Sequence, residues 1–337
     1  MKKLTLDEIA KKAGVSRTTA SRVLNNRPNV REEVRQRVLA IIEETGYQPN
    51  PAARSLAAQR SQIIGLVLPR RTDVLFSDPY FSFLLHGVAE GCNLHDYTLT
   101  LFLLQTEADE EKLYPKLSQQ GLLDGLVFQV GSIGDSLITQ LIDAHIPLVI
   151  AGRPAQSDNV SYVDVDNTAG AYQAVMHLLQ LGYTRVGTIT GSLNTTVGLD
   201  RKLGYEKALK TRGFEIDESL IVAADFTEMG GYYAMRRMLN NLPQAIFIAS
   251  DIMAAGALRA IQEANLKVPH DIALVGFDDL PPAILSTPQL TTIRQPIRRF
   301  GRKAVEMLID IIENGETVPQ HVIFNTELVI RDSCGAV

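Results

Sequence analysis

TLDEIAKKAGVSRTTASRVLN, residues Thr5 to Asn25, decides how this chain begins to fold. Thr5 and Glu8 stand three apart at the head of a helical pattern. That is the spacing of a capping box, in which hydroxyl and carboxylate each satisfy a backbone N–H at the helix start. Leu6, Ile9, Ala10 and Ala13 follow as one apolar stripe. Gly14 stops the helix, and Ser16 can cap a second one from Arg17 to Leu24. Two short helices joined by Ala13-Gly14-Val15-Ser16 make a helix-turn-helix: the glycine sets the turn, and small Ala10 and Val15 let the helices approach. A third helix is expected from about Arg31 to Thr45, with Val34, Val38, Ile41 and Ile42 at helical spacing and Gly46 as its stop.

The outer face of the second helix carries Arg17, Thr18, Ser21 and Arg22, opened by Ser16 and followed by Asn25 and Asn26. Arginine bonds bidentately to guanine, and hydroxyls and amides contact bases or phosphates. Pattern alone fits a helical hairpin with a hydrophilic face as well as it fits a reader of DNA. Charge tips the choice. Residues 1–60 hold twelve Lys/Arg against six Asp/Glu, while the remainder holds twenty-one against thirty-two. A head of net +6 on a body of net −11 suits a polyanion bound at the head and repelled by the body.

From Gln62 onward the rhythm changes. Apolar runs at Ile63–Leu68, Leu99–Leu104, Gly125–Val130 and Pro147–Ala151 alternate with helical stretches, and the alternation resumes through Arg185–Ile189, Ala245–Ala249 and Ile272–Phe277. Short β-rich runs between amphipathic helices imply parallel sheets of βαβ units. Two such series predict an α/β body of two similar lobes, each a doubly wound sheet. Ligands of open sheets bind beyond the carboxyl ends of the strands, which places a site between the lobes. Asp78, Tyr80, Phe81, Arg153, Arg201, Phe226, Ser250, Asp278 and Gln295 nearly all fall just past such ends. Singly, each serves as well as a cap, a surface charge or a packing residue; their shared address raises them. Their chemistry agrees, since Arg and Asp grip paired hydroxyls and aromatic rings cover the C–H faces of a sugar.

Much else is excluded. Cys92 and Cys334 lack metal-ligand spacing and read as reduced thiols, so no metal is expected. No Gly-x-Gly-x-x-Gly follows the first strand, no Gly-x-x-x-x-Gly-Lys-Ser/Thr occurs, and no nucleophile, base and orienter stand together, so neither a cofactor nor an enzyme is expected. The start Met1-Lys2-Lys3 lacks the apolar core of an export signal, and no apolar run is long enough to span a membrane. The expected place is the cytoplasm. That tells against the rival reading, an exported sugar-binding protein for transport.

Thr5–Ala10, Ala13–Ser16, Thr19–Asn25 and Gly46-Tyr47-Gln48-Pro49-Asn50 together closely resemble the lactose/galactose repressor (LacI/GalR) family, and the likeness runs over essentially the whole chain. It implies three parts: a DNA-binding head over 1–48, a hinge helix and linker over 49–61, and a periplasmic-binding-protein-like sensing and dimerising body over 62–337. It further implies a homodimer or higher oligomer on a near-palindromic operator, controlled by a small sugar or sugar-derived effector. Arg17 and Thr18 stand where the family varies its base readers, and Arg22 matches a general base contact. Read alone, the segment Asn50–Ala58 serves as well as a passive linker; the resemblance implies a hinge helix, including Ala53 and Leu56, that folds on DNA with Leu56 as an apolar wedge in the minor groove. The nine body residues above match positions that line the family's sugar cleft. Departures are Ala20 for the usual Val, Arg31 for the Ser that caps the third helix, and Val34 for a Thr that contacts phosphate. Asn29 is therefore expected to do any capping there. Ser250 replaces the commoner Asn, and Gly152 stands where monosaccharide binders often carry Asp, which leaves room for something larger, such as an oligosaccharide.

Overall fold

The computed structural model describes residues 4–24, 28–47, 60–68, 72–119, 121–156, 159–315 and 318–336. The chain divides into two compact units, Met1–Ser61 and Gln62–Val337.

The first unit is three helices: α1 (Leu6–Ala13), α2 (Arg17–Leu24) and α3 (Glu32–Thr45). The capping box forms, with Thr5 N donating to Glu8 Oε2 at 2.7 Å and Glu8 N to Thr5 Oγ1 at 3.3 Å. Gly14, at φ +64°, takes the left-handed turn that a side chain resists. The core holds the small side chains Ala10, Ala13, Ala20, Val23 and Val38, with Leu6, Val15, Val30, Ile41 and Ile42 at its margin, and Ile9 is fully buried as well. Small residues at this junction allow two eight-residue helices to pack closely. One expectation is corrected. The N-cap of α3 is Arg31, with no side-chain bond to the helix, and Asn29 lies two residues earlier in the left-handed region at φ +70°. Glu32 and Glu33 in the first turn of α3 face the positive end of the helix dipole instead.

The second unit holds two six-stranded sheets of one design. In the first the order is β11-β5-β4-β3-β1-β2, built from β1 (Ile63–Leu68), β2 (Thr98–Leu103), β3 (Gly125–Gln129), β4 (Leu148–Ala151), β5 (Ser161–Val165) and β11 (His321–Phe324). In the second it is β12-β10-β9-β8-β6-β7, from β6 (Val186–Thr190), β7 (Ile221–Ala223), β8 (Ala245–Ile248), β9 (Ala273–Asp278), β10 (Thr291–Arg294) and β12 (Glu327–Val329). All pairings are parallel except β10 with β12. The inner strands β3, β4, β8 and β9 are buried at every residue, as parallel strands covered on both faces must be.

The chain passes between the sheets three times. After β5 it enters helix α8 (Asn167–Gln180), whose Ala171, Ala174, Val175 and Leu178 pack in the second lobe. After β10 it returns in α13 (Ile297–Asn314), whose Phe300, Ala304, Val305 and Leu308 join the core of the first. The third passage is the short step from β11 to β12. The remaining helices, in chain order, are α4 (Thr72–Ser77), α5 (Pro79–Leu94), α6 (Glu107–Leu117), α7 (Ser136–Asp143), α9 (Thr196–Thr211), α10 (Glu228–Met238), α11 (Asp251–Glu263) and α12 (Pro281–Leu285). Loops at the carboxyl ends of the two sheets touch: Ile133 N, beyond β3, donates to Asn194 O, beyond β6, at 2.8 Å.

Candidate functional site

On the first unit, Ser16 caps α2, its Oγ accepting from Thr19 N at 3.1 Å. Arg17, Thr18 and Arg22 are exposed and Ser21 half-buried, while Ala20 and Val23 turn inward. The helix thus presents two guanidinium groups and a hydroxyl outward from a fixed core, as a major-groove reader must. Arg17 Nε lies 3.7 Å from Asp7 Oδ1, with both side chains largely exposed, a pairing weak enough to yield to a phosphate or base. Asn25, Ala53 and Leu56 lie outside the described residues.

On the second unit, the most connected of the candidate residues is Arg201, buried on α9. Its Nε donates to Asn167 Oδ1 at 2.9 Å, and its Nη1 donates to the Ala249 carbonyl and, at 3.4 Å, to Asp278 Oδ1. Its Cζ lies 3.6 Å from the centre of the Phe277 ring and 6.0 Å from that of Phe226. Arginine fits this place because its planar fork stacks on a ring and offers fixed donors together. Asp278 ends β9 at φ +120° and also accepts from Gln295 Nε2 at 2.6 Å. Burial pushes its carboxyl up to about 7, against the opposing pull of Arg201.

Three more second-lobe residues frame this anchor. Phe226, held at φ +63°, lays its ring over Gly191 so closely that a Cβ there would stand 1.8 Å from it. Ser250 caps α11, its Oγ accepting from Met253 N at 3.4 Å. Asp251 is buried beside it and accepts from Leu280 N at 2.9 Å and Thr292 Oγ1 at 2.7 Å; burial holds its carboxyl well above the usual range.

The first lobe contributes differently. Asp78 caps α5, accepting from Tyr80 N at 2.9 Å. Phe81 turns into the first-lobe core, whereas Tyr80 is half-buried with the charges of Asp164, Asp278, Arg201 and Asp78 around it. Burial, seconded by those carboxyls, holds its phenol well above the ordinary range, so it stays protonated. Arg153 spans the lobes: its Nη2 lies 2.6 Å from both carboxylate oxygens of Asp200 on α9, and its carbonyl accepts from Thr196 Oγ1 at 2.6 Å.

Arg201, Asp278 and Gln295 therefore form one bonded group, with Phe226 and Tyr80 at its edge. Arg153 stands apart, engaged across the lobes, and Phe81 is packed away. Four residues passed over in the sequence belong here: Asp164, Asn167, Asp200 and Gln129. Asp164, at the end of β5, accepts from Val165 N at 2.8 Å and Asn167 Nδ2 at 3.2 Å, which links the first lobe to Arg201 through Asn167. Burial pushes its carboxyl up to about 6. Gln129, the last residue of β3, is buried and its Oε1 has no hydrogen-bond partner among the described residues. A polar residue closing the apolar run Gly125–Gln129 was the signal for Gln129, whereas Asp164 lies in the mixed segment Ser161–Val165, which gave none.

A helix-turn-helix unit and, in the same chain, a two-lobed body with a buried cluster of charged residues where the lobes meet are the parts of a ligand-responsive DNA-binding protein. Residues 5–50 match the bacterial regulatory proteins of the lacI family, and residues 175–334 match the periplasmic binding protein-like domain. The chain is 35% identical to the HTH-type transcriptional regulator CelR of Thermobifida fusca, over 98% of each chain. The solved complex of transcriptional regulator CelR with cellobiose superposes with a TM-score of 0.79 at 34% identity, covering 98% of this chain and 99% of that one. The lac repressor dimer bound to operator and the anti-inducer ONPF gives a TM-score of 0.86 at 27% identity, over 99% of both. This chain belongs to the lacI family and is a DNA-binding transcriptional regulator. Among the described residues no helix is long and apolar enough to cross a membrane.

Proposed function

We propose that the protein is a cytoplasmic repressor, not an enzyme, that binds a near-palindromic operator as a homodimer or higher oligomer and is controlled by a small sugar or sugar-derived effector in the body cleft. Residues 1–48 read the DNA, residues 49–61 act as hinge and linker, and residues 62–337 sense and dimerise. The observation that carries the sensing role is the buried Arg201, stacked on Phe277 and bonded to Asn167 and Asp278 at the meeting of the lobes. A buried guanidinium in a fixed array costs much desolvation, and selective binding of hydroxyls is a use that offsets it. The likeness to a cellobiose-bound regulator and to an operator-bound repressor dimer supports the same reading. Self-association is supported by the likeness, over 99% of both chains, to the lac repressor dimer.

In the head, Arg17, Thr18, Ser21 and Arg22, with Asn25, approach base edges, Ser16 approaches phosphate, and Ala53 and Leu56 meet the minor groove. Selection of sites from random DNA tests this directly. Arg22→Ala should relax one base position in each half-site and cost ~1–3 kcal/mol there. Leu56→Ala should weaken every good site and leave base preferences unchanged. Unaltered preferences in the Arg22 variant would remove it from the readers. Sensing is tested by titrating the selected operator with and without saccharides, and indifference to every sugar would overturn that half of the proposal.

A further inference from the structure

We infer that Asp124 is a positioning residue for the coupling of effector to operator: it holds Gln62, the first body residue after the linker, in one backbone conformation and so ties the chain that leads to the head to the first lobe. The inference rests on the reading of the body as an effector sensor and adds a residue through which the signal leaves it.

Gln62 directly precedes β1 and stands at φ +56°, in the left-handed region. A residue with a side chain persists there only where its surroundings over-determine it. The Gln62 side chain is exposed, so side-chain packing does not hold it. Hydrogen bonds do. Its N–H donates to Asp124 Oδ2 at 2.9 Å, and its carbonyl accepts from Thr98 N, at the start of β2, at 2.8 Å. Asp124, directly before β3, in turn donates from its N to the Ile63 carbonyl at 2.9 Å. The two backbone bonds continue the parallel ladders of β1 with β2 and β3. The bond to the carboxylate is of another kind. It fixes where the Gln62 N–H points, and with it the peptide that joins Ser61 to Gln62.

This junction lies at the amino ends of β1, β2 and β3. Tyr80 and Gln129 lie beyond or at the carboxyl ends of the same sheet, and the six residues of β1 span about 20 Å between the two. Close-packed, hydrogen-bonded strands carry a displacement from one end to the other. A chain free to turn about φ and ψ at residue 62 would absorb that displacement, since those are the soft dihedrals of the backbone. Locking Gln62 removes the slack at the point where the lobe hands its movement to the linker.

The test uses the intact chain and an operator selected from random DNA, with cellobiose, maltose, lactose and glucose as a saccharide series. Operator affinity is measured with and without saturating saccharide, and saccharide affinity by calorimetry without DNA. The ratio of the two operator affinities in the parent should fall in the roughly 5–150-fold range of allosteric couplings, and Asp124→Ala should bring it about threefold or more nearer to one. Its saccharide affinity without DNA should stay parental, and its melting temperature should fall by no more than about 4 °C. Asp124→Asn, which keeps a side-chain acceptor, should retain most of the coupling. Gln62→Pro removes the N–H and forbids the left-handed backbone, so it should lower the ratio as far as Asp124→Ala does. The double variant should fall no further than either, because both changes remove one interaction. Parental coupling in Asp124→Ala or Gln62→Pro overturns the inference. So does a loss of saccharide affinity in step with melting temperature, which would make Asp124 a support of the first lobe alone. Either result leaves the effector reading intact. If no member of the series binds the parent or alters its hold on operator, the sugar reading fails and this inference with it.

Discussion

On the second-lobe wall of the cleft the polar groups largely bond one another: Arg201 through its Nε and Nη1 to Asn167, Ala249 and Asp278, Asp278 to Gln295, Ser250 to the start of α11, Asp251 to Leu280 and Thr292. On the first-lobe wall Gln129 has an oxygen without a partner, and Arg153 reaches out of its own lobe to Asp200. The contrast separates two tasks. A wall whose groups fix one another is a preorganised anchor, where little ordering remains for the ligand to drive. A wall with an unmet acceptor and a bond that closes only when the lobes meet responds to closure. Sensing needs both, because a ligand shifts a conformational equilibrium only through differential contacts with its two states.

The largest effects should follow from damage to the anchor. Arg201→Ala leaves the buried carboxyls of Asp278 and Asp164 without their cation, and breaking a buried pair this way commonly costs ~3–5 kcal/mol. The expected result is a lower melting temperature of the body and no response to effector, with operator binding retained because Met1–Ser61 is a separate unit. Asp278→Ala should behave alike. If either variant answers cognate ligand as the parent does, the anchor is misplaced.

Next in size is the pH dependence. Burial raises the carboxyls of Asp278 to about 7 and Asp164 to about 6, both above their unfolded values. Groups shifted this way favour the fold fully below the unfolded pKa and lose that contribution as pH rises through the folded one. Between pH 5 and pH 8 the body should therefore lose stability with rising pH on account of these two, and Asp278→Asn should flatten the fall. A melting temperature of the parent that climbs steadily to pH 8, unaltered in the variant, would contradict the burial reading.

Much of this arrangement was legible in residues. The capping box, the glycine turn and the alternating apolar runs fixed the head and most inner strands, because each is a local pattern. What escaped was non-local or locally mixed. Ser161–Val165 carries Ser, Tyr and Asp yet forms a fully buried strand, β5, and His321–Phe324 pairs with it from far along the chain. Nothing local says that α13 returns to the first lobe after β10. Tyr80 and Phe81 are adjacent aromatics alike in sequence, and only the fold says that one faces charge and the other the core. Asp200 was invisible for the same reason, since its role depends on Arg153 forty-seven residues away.

Smaller effects should come from the closing side. The Arg153–Asp200 pair is partly exposed, 35% and 18% at the side chains, and such pairs contribute up to ~1 kcal/mol. Asp200→Asn should accordingly weaken effector binding about fivefold or less and leave the melting temperature almost unchanged. A loss as large as that of Arg201→Ala would move Arg153 and Asp200 into the anchor. The smallest effect, confined to the head, is Thr5→Ala: loss of the cap should cost ~1 kcal/mol of helix stability and leave effector affinity untouched, as calorimetry would show.

The central claim is that cleft and operator are coupled. It is tested most directly by measuring the affinity of intact protein for cellobiose, or whichever saccharide of the series binds, in the absence and presence of saturating operator. Operator affinity is then measured with and without saturating saccharide. Linkage requires the two ratios to be equal, and allosteric couplings typically amount to roughly 5–150-fold. The account predicts equal ratios well above one in the parent and a ratio of one in Arg201→Ala, which no longer takes up the ligand. Saccharide that binds the parent tightly with the same affinity whether or not operator is present would contradict it.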